Sequence, residues 1–177
     1  MQSTGSAAIV DRMIGAAKLD IPTYEAIEHD ESATPSAVVV VVMVAIAGAI
    51  GGLDEGGRGL IAGLLISIIG WAVFSAIAYF VGTKLIPAAT TQATIPQILR
   101  TTGFAQAPGL LNVLGIIPVL GSVIAFVVGI WVLITSIVGL RQALDMSTGR
   151  TIAVALISVI PYLIVAGTIA AIFNIGM

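Results

Sequence analysis

The sequence predicts an all-α protein: an integral membrane bundle of five transmembrane helices with a short N-terminal amphipathic helix. Three observations predict it. Of 177 residues, 58% are hydrophobic and 9% charged, against about 25% charged in a soluble domain. No water-soluble core hides that much apolar surface, so most of the solvent must be lipid. Long uncharged stretches recur, and Lys and Arg gather on alternate connections between them, as the positive-inside rule requires.

Residues 1–34 read as a cytoplasmic segment with surface helices, and residues 35–177 as the membrane domain. "SAAIVDRMIGAAKL" (6–19) sets Ile9, Met13 and Ala16/Ala17 at helical spacing, with Asp11, Arg12, Gly15 and Lys18 mostly elsewhere. That pattern predicts an amphipathic helix lying on the membrane surface. No basic stretch followed by an apolar run precedes it, so no cleaved signal peptide is expected. Pro22 starts a second short helix carrying Glu25, Glu28, His29, Asp30 and Glu31.

Span one is expected over 37–53, with Thr34 as N-cap and Pro35 as first helical residue. Its valines are mediocre helix formers in water. In lipid every backbone group must bond internally, and the helix wins. Span two is expected from Leu60 to Gly82 or as far as Ile86, with Lys84 snorkelling at its end. Thr94 caps a small helix over 95–101. "TTGFAQAPGLLNVLGIIPVLGS" (101–122) is span three. It is apolar yet broken by Pro108 and Pro118, which leave a helix of about 10–14 residues, or roughly 15–21 Å. A crossing so short should be buried among its neighbours and form a tight hairpin with span four, with Pro118 and Gly121 making the turn. Spans four and five are expected over 123–140 and 151–173, and Pro161 should kink the last.

Charge fixes the orientation. With the N-terminus cytoplasmic, the inner segments hold Arg12, Lys18, Lys84, Arg100, Arg141 and Arg150, and the outer ones hold Arg58 alone. A same-side loop at 101–122 would spoil that bias. The expectation is therefore a multi-pass protein of the cell (inner) membrane, C-terminus outside.

Chemistry is sparse. No Asp, Glu, Lys, Arg or His falls within the five expected spans, which counts against proton coupling and charged substrates. No cysteine exists, and the single histidine, His29, lies outside the spans. An enzyme is not expected, because acid–base apparatus is missing, and no cofactor is expected. Glu25, Glu28 and His29 share a helix face, but neither a di-iron Glu-x-x-His nor a zincin H-E-x-x-H spacing is met, so no metal is expected. A formal net charge of -2 excludes a nucleic-acid partner.

Small residues recur at helix-contact spacing: Gly48 and Gly52 in span one, Gly59, Gly63 and Ser67 in span two, and Gly121, Ala125 and Gly129 in span four. Such ridges let helices pack closely within one chain or against a partner. Ser67, Ser75, Asn112, Thr135, Ser136, Ser158 and Thr168 are expected as interhelical hydrogen-bond partners, and Trp71 and Trp131 as interior or lipid-facing groups. Gln106 and Asn112 remain as candidate intramembrane polar contacts.

Two blocks resemble a known family. They are "GFAQAPGLL" (103–111), of the form G-(F/Y)-A-x-A-P-x-L-L, and the W…GLRQAL…TGR run from Trp131 to Arg150. With "TYEAIEHDESATPSA" ahead of span one, they make the chain similar to the Yip family (Ypt/Rab-interacting membrane proteins), in its prokaryotic branch, over about residues 20–160. The resemblance implies five spans and a cytoplasmic N-terminus. It implies no catalytic residues. Eukaryotic members associate with Rab GTPases through a long cytosolic N-terminal region that is lacking here, so a Rab-type partner is not expected.

The expected function is a non-enzymatic interaction, scaffold or accessory subunit. Its partners are the lipid bilayer and other integral membrane subunits or a second copy of itself. The alternative is a channel or transporter for a small uncharged solute, lined by Asn112, Ser136, Ser158 and Thr168.

Overall fold

A computed structural model describes residues 5–52, 56–117 and 120–174. Among them every regular element is helical: α1 (Gly5–Ala17), α2 (Ile21–His29), α3 (Ala33–Gly51), α4 (Gly56–Phe80) with a π turn (Val81–Leu85), α5 (Ile95–Ala105) with a 3-10 helix (Ala107–Ile116), α6 (Gly121–Leu144) and α7 (Thr148–Phe173). Four helical segments are long and apolar enough to cross a membrane: Ala33–Gly51, Gly59–Leu85, Gly121–Leu144 and Thr148–Phe173. The chain is thus a helical multi-pass membrane protein. The stretch expected as a fifth span is not a single long α-helix.

Local sequence explains the helix starts. Asp20 caps α2 by accepting the Thr23 N–H, with Pro22 in the first turn. Thr94 caps α5 in a reciprocal box with Gln97, and that helix runs on to Ala105, beyond the expected 95–101. Span one begins two residues early, at Ala33. Its N-cap is Ser32 rather than Thr34, and Ser32 gives its N–H and hydroxyl to Asp30 instead of capping. α6 ends on Asp145 in the left-handed conformation, which satisfies its last carbonyls before α7 begins.

Residues 101–122 depart most from expectation. Their first part finishes α5. The rest winds as a ten-residue 3-10 helix, with Pro108 in its first turn, where a missing N–H costs little. Pro118 lies outside the described residues. At about 2.0 Å per residue the 3-10 helix covers roughly 20 Å, where an α-helix of the same length would cover about 15 Å. With the end of α5 it runs along α3: Gly103 of α5 faces Ala37, and Gly109 and Gly115 of the 3-10 helix face Val44 and Gly51. Gly109 and Gly115, six residues apart, fall on one edge of a helix with three residues per turn. That edge is the contact: a methyl on Gly109 would come within 2.6 Å of Val44 Cγ1. α6 then returns antiparallel. Gly121 starts beside Gly115, the Thr135 hydroxyl donates to Ala105 O at 2.6 Å, and Gly139 reaches Thr101.

The packed core sits at the end of the bundle where α3 begins, here called the near end. Tyr24, Ile27, Ile98, Phe104, Leu140 and Leu144 are fully buried there. α1 lies on this end, but its expected membrane-facing stripe turns inward. Met13 and Ala16 are buried in the protein core and Ile9 packs against it, while Val10 and Ile14 are left exposed. Trp131 Nε1 donates to Ala17 O at 2.8 Å and ties α1 to α6.

Candidate functional site: the far-end cavity

The two ends of the bundle carry different chemistry. At the near end polar side chains tie the elements together, although Arg100 Nε is buried without a partner. The Arg100 side chain, 5% exposed, donates to Glu28 O at the end of α2 and to Thr34 Oγ1 at the start of α3. It holds a cation against a helix C-terminus, where orphan carbonyls attract it. Tyr24 Oη stands 3.1 Å from both Ala16 O and Thr135 O, sharing one proton between two carbonyls. Burial holds its phenol protonated. Sequence reasoning placed Arg100 in a polar connector and missed this clamp. The signal was present: an arginine one turn into an amphipathic helix, facing the acidic α2.

Glu25, Glu28 and His29 do converge, with ligand atoms within 4.8 Å of one another. Their bonds go to protein neighbours: Glu25 accepts from Gln142, Glu28 accepts from Gln97, and His29 Nδ1 lies 2.9 Å from Glu25 O. Burial pushes the Glu28 carboxyl up to about 7, against the lowering influence of His29 and Arg100 and with Asp145 and Glu25 adding to the rise. The bond to Glu25 O, then the neighbouring Glu28, raises His29.

Halfway along, a second polar knot closes the bundle. Trp71 Nε1 donates to Thr102 Oγ1 at 3.1 Å, Ser75 Oγ meets the same oxygen at 2.9 Å, and Thr102 donates to Ile98 O. Beyond it the helices part. α4 and α6 face one another without packing together. Between them, α3, the 3-10 helix and α7 lies a cavity of about 970 Å³. Its floor is Trp71, Phe74 and Thr102, and its walls hold Gln106, Asn112, Ser136 and Tyr162.

The residues singled out from sequence distribute unevenly. Gly48, Gly52, Gly121 and Gly129, together with Gln106 and Asn112, all line the cavity. Gly59 is buried in the first part of α4, and Gly63 lies further along it, away from the cavity. A methyl added at Gly48, Gly63 or Gly129 would meet nothing within 4 Å, whereas one at Gly121 would come within 2.7 Å of Gly115 O. Close approaches occur at glycines with no part in the expected ridges: at Gly51 a methyl would collide with Asn112 O, and at Gly70 it would press on the Tyr162 ring. Of the expected polar partners, Ser75 and Thr135 bond between helices, and Ser158 and Thr168 bond back to their own helices. Asn112 Oδ1 is buried with no hydrogen-bond partner.

No curated protein and no solved structure matches this chain. The Yip1 domain matches residues 21–170, from the start of α2 nearly to the end of α7. The match takes in the acidic α2, the glycine-spaced 3-10 helix and the cavity walls, and the chain belongs to the Yip family of multi-pass membrane proteins.

Proposed function

We propose that this chain is a non-enzymatic accessory or scaffold subunit of a cell-membrane assembly, and that it works by binding rather than by conduction. The far-end cavity carries this reading. Among the described residues its lining is free of charge, it is large and walled by small residues, and Phe104, Ile98 and Leu140 lie fully buried toward the near end. A blind cavity holds a partner and does not pass a solute. Purification in mild detergent with identification of co-eluting chains tests the proposal. Stable partners are expected, and a lone monomer in several detergents would overturn it.

In this reading the chain crosses the membrane five times, with the α5–3-10 segment as the third crossing, the near end cytoplasmic and the C-terminus outside. The run of contacts from Ala37 to Gly51 supports the crossing, and the six-against-one distribution of Lys and Arg supports the orientation. The same cavity is the observation that favours the second reading, an uncharged-solute transporter seen closed at one end. Liposome flux separates the two: permeation above empty vesicles would favour transport, and its absence favours binding.

A further inference from the structure

We propose that the far-end cavity is a binding site for a neutral, hydroxyl-bearing lipid-like amphiphile. This rests on reading the cavity as a binding space rather than a conduit. The cavity holds about 970 Å³. That volume falls within the range of small-molecule sites, about 300–1,000 Å³.

The wall chemistry bears on the ligand's charge. Among the described residues, no Asp, Glu, Lys, Arg or His lines the cavity. A phosphate or ammonium placed there would lose its hydration with no opposite charge to replace it. A neutral molecule avoids that cost.

The wall also sets the polarity. Asn112 lines the cavity, and its buried Oδ1 accepts nothing from the protein. Ser67, Gln106, Ser136 and Tyr162 line the same space. Among the described residues their side chains make no hydrogen bond to protein, although Thr135, Ser158 and Thr168 on the same helices bond to backbone carbonyls. Unspent donors and acceptors beside apolar Trp71, Val132 and Leu133 match a molecule with a hydroxyl head and a hydrocarbon body. Diacylglycerols and isoprenoid alcohols share this chemistry.

Trp71 in the cavity floor is a built-in reporter. Trp131→Phe leaves it as the only tryptophan. That protein, in phosphatidylcholine nanodiscs, is titrated with dibrominated diacylglycerol and, separately, with dibrominated phosphatidate of the same chains. Saturable quenching of Trp71 by the diacylglycerol is expected, with phosphatidate weaker by about ten-fold or more, as loss of one good interaction implies. Gly129→Leu fills open space and Asn112→Leu removes the lone acceptor. Each should weaken half-saturation by about ten-fold with the melting temperature retained. Gly129→Leu keeps the test sound if Asn112→Leu fails to fold. Competition with an unlabelled isoprenoid alcohol assigns the source: displacement of the diacylglycerol favours the alcohol, and no displacement favours the diacylglycerol. Linear, equal quenching by both brominated lipids, or quenching that Gly129→Leu leaves unchanged, would overturn the proposal. Co-eluting protein chains together with that flat titration would overturn the ligand and leave the accessory-subunit reading standing.

Discussion

The near and far ends of this bundle are built from the same helices and behave as opposites. At the near end α5 is wedged among α2, α3, α4 and α6, large side chains are fully buried, and polar side chains bond between elements, Arg100 Nε excepted. At the far end the same chain direction continues as a thin 3-10 helix, α4 and α6 stay apart, and Asn112 Oδ1 is left without a partner. The difference teaches that a membrane bundle divides its work by depth. Packing free energy is concentrated where it fixes the fold, and the other half is left open around a cavity. Far-end apolar side chains face lipid, so they gain little from protein contacts.

The largest expected effect breaks that comparison with one residue type. Phe104 is fully buried and Phe126 is 70% exposed. Phe104→Ala should cost about 3–5 kcal/mol, and Phe126→Ala less than about 0.5 kcal/mol, measured by thermal unfolding in one detergent. Equal losses would dissolve the distinction between the ends.

A smaller effect sharpens it with glycine. Gly51→Ala forces a methyl onto Asn112 O and drives α3 from the 3-10 helix, an overpacking cost of about 1–3 kcal/mol. Gly129→Ala meets open space and removes a glycine from a helix interior, a gain of about 0.5–1 kcal/mol. The same melting assay reads both, and the signs should be opposite.

The smallest effect is pH-dependent and confined to the near end. Burial raises the Glu28 carboxyl from its ordinary 4.5 to about 7. The neutral form is favoured in the folded state, so the stability it contributes is full below about 4.5 and lost as pH rises through 7. His29, also raised, adds a contribution in the same sense, present below its ordinary value and lost above it. Docking of α2 should therefore loosen between about pH 5 and 8, read as faster hydrogen exchange in Ile21–His29, with Glu28→Gln flattening most of the dependence. The far-end helices should not respond.

Much of this was legible in the sequence, because it rests on local rules. Thr94 with Gln97, and Pro22 after Asp20, announce helix starts through backbone groups only a few residues away. Long apolar runs announce the spans, because lipid allows little else. What sequence concealed depends on neighbours distant in the chain. Gly48 and Gly129 read like packing glycines, yet whether a small residue meets a helix or a void is decided by where the next helix lies. Arg100 fell on the small helix expected over 95–101 with no partner in view, because Glu28 O and Thr34 lie far off in sequence. The 3-10 winding had a visible sign, glycines at 109 and 115. A six-residue spacing is easily passed over when only periods near four are sought.

The central claim is that the segment after α5 carries the chain across the membrane, so that the cavity mouth and the α1–α2 cover lie on opposite sides. The chain has no cysteine, so one introduced thiol at a time reports its own side. Thr90 lies beside Asp145 at the near end, and Ser122 lies at the cavity mouth, and both are exposed. Labelling of intact cells with a membrane-impermeant thiol reagent should modify Ser122→Cys directly and Thr90→Cys only after permeabilisation. Labelling of both from the same side would mean that residues 101–122 enter and leave together, and would contradict the account.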